Sequence, residues 1–267
     1  MFLQAFCRGL STQPTGDQTN SAMAHLPLDG KTALVTGGAK RIGRRIALAL
    51  ADAGADVAIT YRTSRIDALE TAAEIQALGR RAVAVECNVR SEAAVRAAIQ
   101  MAMVVFGRLD VLVNNAAVFD SAPLERITLE AWDNVFETNT RGPFLVTREA
   151  LTHLRAVEGT IVNIGSLGGT RAWAGHAHYC GSKAALHMLT QAMAKAFAPQ
   201  INVNCVAPGW IELEEQDHDA AERLAARTPM RRNGNPDEVA QAVLFFATGP
   251  RFITGQVLAV DGGLGLI

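Results

Sequence analysis

This sequence predicts a doubly wound α/β fold, a seven-stranded parallel sheet in a single domain, and three observations predict it. Strand-type apolar runs alternate with helix-period stretches from Leu28 onward, without a break in composition. The hydrophobic content of 49%, with only 6% aromatic residues, is weighted toward Ala, Val and Leu, which suits strands buried on both faces. The first strand runs into a glycine turn, Thr36-Gly37-Gly38, that opens directly into a helix. A length of 267 residues accommodates the pattern in one large α/β domain.

Taken in order, the strands are expected at 32–36, 56–61, 82–87, 110–114, 160–164, 201–206 and 256–260. Helical spacing fills the gaps at 42–53, 64–78, 91–106, 128–155, 178–198 and 236–247. No linker or repeat divides residues 27–267. Residues 1–26 lack the pattern: Ser11–Ser21 is polar, carries Pro14 and Gly16, and reads as a disordered N-terminal extension. Met1–Leu10 is apolar with Arg8 and no acid, faintly like an organelle-targeting segment, while Met23 offers a second start directly before the domain.

Charge and cysteines exclude several classes. A net charge of −1 gives no reason to expect nucleic acid or an anionic membrane as partner. No apolar run reaches the roughly 18 residues of a membrane span. Cys7, Cys87, Cys180 and Cys205 are scattered, with no C-x-x-C pair, and read as thiols in a reducing, cytoplasmic setting rather than as a metal site.

The glycine turn carries the first functional signal. Gly37 and Gly43 let the backbone approach a pyrophosphate, and Ile42 begins the helix whose N-terminus faces it. A dinucleotide-binding, Rossmann-like fold usually places an acid about 20 residues on, for the ribose 2′-hydroxyl. Here the second strand ends Ile59-Thr60-Tyr61-Arg62-Thr63-Ser64-Arg65, with no acid. Arg62 offers a planar fork for a 2′-phosphate, Ser64 a hydroxyl, and Lys40 and Arg41 on the turn reach toward the same anion. The cofactor expected is therefore NADP(H), the other reading of Arg62 being a solvated basic loop. Asn88-Val89 closes the third strand and Asn114-Asn115 the fourth; Asn114 is assigned to structure, and Asn115 is placed nearer the cofactor.

The second signal is a strand ending in a hydroxyl, Val162-Asn163-Ile164-Gly165-Ser166, followed by Tyr179-Cys180-Gly181-Ser182-Lys183. Tyr179 and Lys183 are i and i+4, so on a helix they share one face. A nearby ammonium is expected to lower the tyrosine's pKa and make it a usable acid or base. Ser166 is positioned to polarise a carbonyl oxygen.

Over residues 28–265 these motifs resemble the short-chain dehydrogenase/reductase family. The resemblance implies a catalytic set of Asn139, Ser166, Tyr179 and Lys183, with Asn139 in a long helix holding a water through which Lys183 relays protons. It implies that hydride passes from NADPH to a carbonyl carbon while Tyr179 protonates the oxygen and Lys183 binds the nicotinamide ribose. Asn88 and Val89 then adjoin the adenine, and Pro208, Gly209 and Ile211 the nicotinamide. The segments Thr228-Pro229-Met230, Pro236 to Ala240, Thr254-Gly255-Gln256 and Val260 to Gly263 are similar to the ketoacyl-reductase-like branch. In T-G-x-x-x-R-x-G, Arg41 stands where the family usually has a small residue, a form shared with pteridine reductases. The family also pairs its two central helices across a two-fold axis, which implies a homodimer or, through Val257–Val260, a homotetramer. Apolar residues beyond one face of these helices (Phe144, Leu145, Val146, Leu151; Leu186, Met188, Leu189, Met193) agree with that.

The substrate is left between classes. A 3-oxoacyl or small ketone is favoured by Ser166. A pteridine is favoured by Arg41 and by Ala198 to Asn204, although pteridine reductases typically carry an aspartate in place of that serine. A non-catalytic NADPH-binding scaffold is the reading from another class. Phe119, Trp173, His176, His178, Trp210, Leu213 and His218 surround the expected centre, and Ile211–Thr228, charged and helical in pattern, is expected to form a movable lid.

Overall fold

The computed structural model describes residues 26–213 and 218–267. The expected extension, residues 1–26, thus lies outside the described residues except for Leu26, as do residues 214–217 of the expected lid.

Seven strands form one parallel sheet: β1 (Thr32–Val35), β2 (Asp56–Tyr61), β3 (Ala82–Glu86), β4 (Val111–Asn114), β5 (Thr160–Ile164), β6 (Asn202–Pro208) and β7 (Val257–Val260). Their order across the sheet is β3-β2-β1-β4-β5-β6-β7. Helices α1 (Arg41–Asp52), α2 (Arg65–Ala77), α3 (Glu92–Phe106), α4 (Leu129–Phe136), α5 (Gly142–Ala156), α6 (Ala177–Phe197), α7 (His218–Arg227) and α8 (Pro236–Thr248) connect or flank them.

Strand periodicity sorts the core into two layers, because successive side chains leave a strand on opposite faces. Ala33 and Val35 join Ile46, Leu50, Val239 and Val243 on the α1 and α8 side. Leu34, Leu112 and Ile161 join Ile99, Val146, Leu154 and Met193 on the α3, α5 and α6 side. Local chemistry sets the helix ends. Ser91 Oγ accepts from the Ala94 N–H at the start of α3, and Asn235 with Glu238 forms a reciprocal capping box on α8.

Two elements differ from expectation. The fourth helical stretch, 128–155, is not continuous, since Glu137–Arg141 between α4 and α5 is a π-helical turn containing Asn139. Such a turn has no hydrophobic period of its own, so the sequence pattern passes straight through it. Strand β6 runs on to Pro208, because Ala207 and Pro208 still pair with Ala259 and Val260 of β7.

The topology fixes where a site can form. From β1 the chain winds outward through β2 and β3, then returns to pair β4 on the other side of β1. The crevice beyond the carboxyl ends of β1 and β4 is the switch point of the sheet, and the glycine turn and Asn115 both lie there.

Candidate active site

At the end of β1, Thr36 ties two strands together. Its Oγ1 donates to the Val113 carbonyl at 3.3 Å and accepts from the N–H groups of Asn115 (2.9 Å) and Ala116 (3.0 Å). Asn115 answers with its Nδ2, donating to the carbonyls of Thr36 (2.9 Å) and Gly37 (3.0 Å). The turn has no room for side chains here. Gly37 has φ +64°, and a Cβ on Gly43 would run into the Gly37 carbonyl oxygen and Asn115 Nδ2.

These contacts leave a groove of about 320 Å³. Ten of the residues expected to hold a cofactor line it: Gly37, Lys40, Arg41, Ile42, Gly43, Arg62, Ser64, Asn88, Val89 and Asn115. Arg44 and Arg45 lie close by, but they are paired with Glu74 and Asp237. Lys40 and Arg62 are exposed and have no ion-pair partner among the described residues. Asn88 caps its own loop, accepting from the Arg90 N–H at 3.1 Å. Pro208 and Gly209 sit at the carboxyl end of β6. The Ile211 side chain is buried in the core with Val206 and Val239, and its backbone bridges Gly234.

The catalytic candidates converge beside the groove. Ser166 follows β5, is buried, and accepts from the Gly168 N–H at 3.1 Å, with its side chain close enough to Tyr179 to act on the phenol. Lys183 lies one turn along α6 from Tyr179, with its Nζ 5.9 Å from the tyrosine ring centre and donating to the Ile164 carbonyl at 2.8 Å. Asn139 uses its side chain as a clamp. It accepts from the Val118 N–H (2.9 Å) and donates to the Val118 carbonyl (2.9 Å) and Ser182 Oγ (3.1 Å). The expected water-holding side chain is thereby committed to tying the loop after β4 to α6. Asn114 has the structural role expected of it, donating to Thr147 and Asn163, with Asn163 donating on to Thr190.

Electrostatics departs from expectation at the tyrosine. Burial pushes Tyr179 above the ordinary phenol value, and the nearby Ser166 side chain only partly opposes this. Lys183 does not lower it; burial instead lowers Lys183 to about 8. At neutral pH the pair is therefore a protonated phenol beside a protonated amine of weakened basicity, which suits proton donation.

His187 is absent from the sequence-derived set. It lies under Ser166, 6% exposed, and its Nε2 accepts the Ser166 N–H at 3.4 Å. A Cβ on Gly165 or Gly169 would run into its ring, so those glycines make its seat. Burial, reinforced by the charge of Lys183, lowers it to about 4 and keeps it neutral. Its signal in the sequence was only a polar residue on the inner face of an apolar helix, one turn past Lys183.

Of the surrounding residues, Phe119, Trp173 and His176 gather at Tyr179. His178 is fully buried and faces Asp120, with Nε2 3.3 Å from Oδ2. Leu213 lines the groove, Trp210 is half-buried at the end of β6, and the side chain of His218 lies outside the described residues. Among the described residues no His, Cys, Asp and Glu cluster forms a metal site, and no helix is long and apolar enough to cross a membrane.

Comparison with known proteins agrees with this architecture. Residues 37–265 match the family described as Enoyl-(Acyl carrier protein) reductase. A 3-oxoacyl-[acyl-carrier-protein] reductase of Synechocystis sp. is 39% identical over 241 residues, 89% of this chain and 98% of that protein. The crystal structure of a short-chain dehydrogenase from Burkholderia cenocepacia in complex with NADP superposes with a TM-score of 0.84 at 41% identity, covering 89% of this chain and 99% of that one. A blue fluorescent protein from a metagenomic library, crystallised with NADPH, gives 0.84 at 38% identity over 89% and 99% of the two chains. With the glycine turn at the switch point and Ser166, Tyr179 and Lys183 beside it, the chain belongs to the short-chain dehydrogenase/reductase family, in its ketoacyl-reductase-like branch, and is an NAD(P)-dependent oxidoreductase.

Proposed function

We propose that this protein uses NADPH to reduce a carbonyl group, that of a 3-oxoacyl compound or a small ketone, with Tyr179 as the general acid. The observation that carries this reading is the convergence of Ser166 and Tyr179, with Lys183 one helical turn away and its Nζ 5.9 Å from the tyrosine ring centre. The groove fits the cofactor: its glycines leave a cradle that a Cβ on Gly43 would fill, and exposed Lys40 and Arg62 stand where a 2′-phosphate needs cations. Gly37, Lys40, Arg41, Ile42, Gly43, Arg62, Ser64, Asn88, Val89 and Asn115 would hold it, with Pro208 and Gly209 at its nicotinamide end. Bound NADPH supplies the hydride.

The chain's own groups do the rest. Ser166 donates to the carbonyl oxygen and stabilises the negative charge that develops there. Tyr179, held in its protonated form by burial, passes its proton to the same oxygen. Lys183 presents a cation to the ribose side, with its Nζ 5.9 Å from the Tyr179 ring centre. Asn139 acts as a positioning residue that fixes the loop after β4 against α6.

Arg41 keeps a second substrate class open, a pteridine; it lines the groove with φ +53°, an uncommon backbone for a residue other than glycine. The test is NADPH oxidation against ketones, a 3-oxoacyl thioester and dihydrobiopterin. Turnover of a ketone or thioester is the expected result. Turnover of dihydrobiopterin alone selects the second reading, and tight NADPH binding with no turnover of any compound selects a non-catalytic scaffold.

The assembly proposed is a homodimer or homotetramer. Phe144 of α5 and Met188 of α6 are exposed, as are Leu129 and Trp132 of α4, whereas Leu145, Val146, Leu186 and Met193 are buried in this chain's core. Leu258 of the edge strand β7 is exposed, as is Phe252 ahead of it in the chain.

A further inference from the structure

Substrate class can be narrowed from the rings that meet at Tyr179, an inference that rests on the reading of Tyr179 as proton donor. Phe119, from the loop after β4, meets the tyrosine ring edge-on, with centroids 4.8 Å apart and planes at 83°. It also stacks on His176 at 5.0 Å and 30°. Trp173, from the segment between β5 and α6, lies nearly parallel to Tyr179 at 15°, with centroids 6.1 Å apart, and stands edge-on to His176. Its ring sits on the backbone just past Ser166, since a Cβ on Gly168 would lie 3.2 Å from it. His178 and Asp120 tether the Phe119 loop to α6.

Two features say what covers this corner. Phe119 is 59% exposed although it touches the ring that bears the reacting hydroxyl, so the group presented to Tyr179 is also presented to an open aromatic surface. The nearby charges, in contrast, are already engaged. Arg171 donates to the carbonyls of Gly265 and Ile267, Asp120 faces His178, and His176 Nδ1 meets the Ala174 carbonyl. Among the described residues, the corner therefore offers π surface, and these charges are not free for an anionic handle. A flat conjugated group gains offset or edge-on ring contacts there, and loses little rotational freedom on binding. A straight acyl chain gains only area and must order each of its bonds.

We propose that Phe119 and Trp173 form an aromatic corner that selects ketones whose carbonyl is conjugated to a planar ring over straight-chain 3-oxoacyl substrates. The reaction is unchanged in kind: the carbonyl carbon gains the hydride of NADPH, the oxygen gains the Tyr179 proton, and a secondary alcohol and NADP⁺ result. The proton is restored to Tyr179 from solvent.

The test compares kcat/KM for an aryl methyl ketone and a straight-chain methyl ketone with the same number of carbon atoms, and for a 3-oxoacyl thioester. It is run on the wild type, Phe119→Leu and Trp173→Leu, with NADPH Kd measured alongside. Leucine keeps apolar area and removes the ring face. The expected wild-type ratio favours the aryl ketone by roughly 10-fold or more, and each substitution lowers that ratio by about 3- to 10-fold with NADPH Kd little changed. A wild-type ratio near one, faster turnover of the thioester, or an unchanged ratio in both variants overturns this proposal while leaving carbonyl reduction intact. No turnover of any carbonyl compound overturns the parent reading and this one with it. If either variant fails to fold, the wild-type ratio and the other variant still decide.

Discussion

The groove beside the glycine turn is made of backbone and exposed charge, whereas the floor around Ser166 is made of buried side chains. In the groove, Gly37 and Gly43 clear space, Thr36 and Asn115 pin one strand end to another, and Lys40 and Arg62 stand in solvent. On the floor, Ser166, Ser182, Lys183 and His187 are all buried, and their side chains hydrogen-bond neighbouring backbone, with His187 Nδ1 left unpartnered. Solvent screens the first set of charges and not the second. A substitution in the groove should therefore change which cofactor is used, and one on the floor should change the rate of the chemistry.

The largest separation between the halves is expected from Ser166→Ala. The alanine removes the donor to the developing oxyanion, so kcat should fall by about 10²- to 10³-fold with NADPH Kd little changed. Stopped-flow turnover together with a fluorescence titration checks both quantities. Equal losses in each would merge the two regions into one.

Arg62→Asp acts on the other side. Two charge-assisted contacts to a 2′-phosphate, from Arg62 and from Lys40 or Arg41 as proposed, would contribute together about 2–4 kcal/mol after allowance for exposure. That corresponds to a preference for NADPH over NADH of roughly 30- to 1000-fold in the wild type. The aspartate should reverse it, as it removes the fork and supplies an acceptor for a free ribose hydroxyl. Comparison of kcat/KM with both cofactors decides; equal use of NADH by the wild type would show that the basic turn binds no phosphate.

The same contrast explains how much was legible in the sequence. The groove could be read because its geometry demands particular residues: Gly43 has no space for a Cβ, and the absence of an acid after Ile59 is visible without a structure. Buried parallel strands likewise announce themselves as apolar runs, and all seven were placed to within two residues. The floor was legible only where residues lie close in sequence, as with Tyr179 and Lys183. The seat of His187 needs Gly165 and Gly169 from one segment and α6 from another, and no local pattern reports that meeting. Nor does spacing reveal the π-helical turn that brings Asn139 to Val118 and Ser182. The pKa of Tyr179 was misjudged for a related reason: the sequence shows the neighbouring ammonium but not the burial that outweighs it.

His187→Leu sharpens the comparison from beneath. It leaves the Ser166 N–H without its acceptor, and kcat should drop by roughly 10-fold while cofactor preference stays as in the wild type. Stability supplies a second readout. The folded value of His187, about 4, lies below its ordinary 6.5. Between these values the unfolded chain binds the extra proton, so stability is retained above pH 6.5 and lost as the pH falls toward 4. Thermal melts across that window should show a shallower acid loss in the variant.

A smaller effect concerns Lys183, lowered to about 8 by burial. If its charge serves the ribose as proposed, kcat/KM for reduction should decline as the pH rises through about 8. A pH–rate profile that stays flat well beyond that value would detach Lys183 from the chemistry.

The central claim is that Tyr179 delivers the proton while the groove holds the cofactor independently of it. Tyr179→Phe keeps the ring, its contacts with Phe119 and Trp173, and the neighbouring backbone, and removes only the hydroxyl. The direct measurement is turnover of a reactive ketone by this variant beside NADPH Kd. Turnover lower by about 10²- to 10⁴-fold with a Kd within a few-fold of wild type is the predicted result. Near-normal turnover would contradict the account.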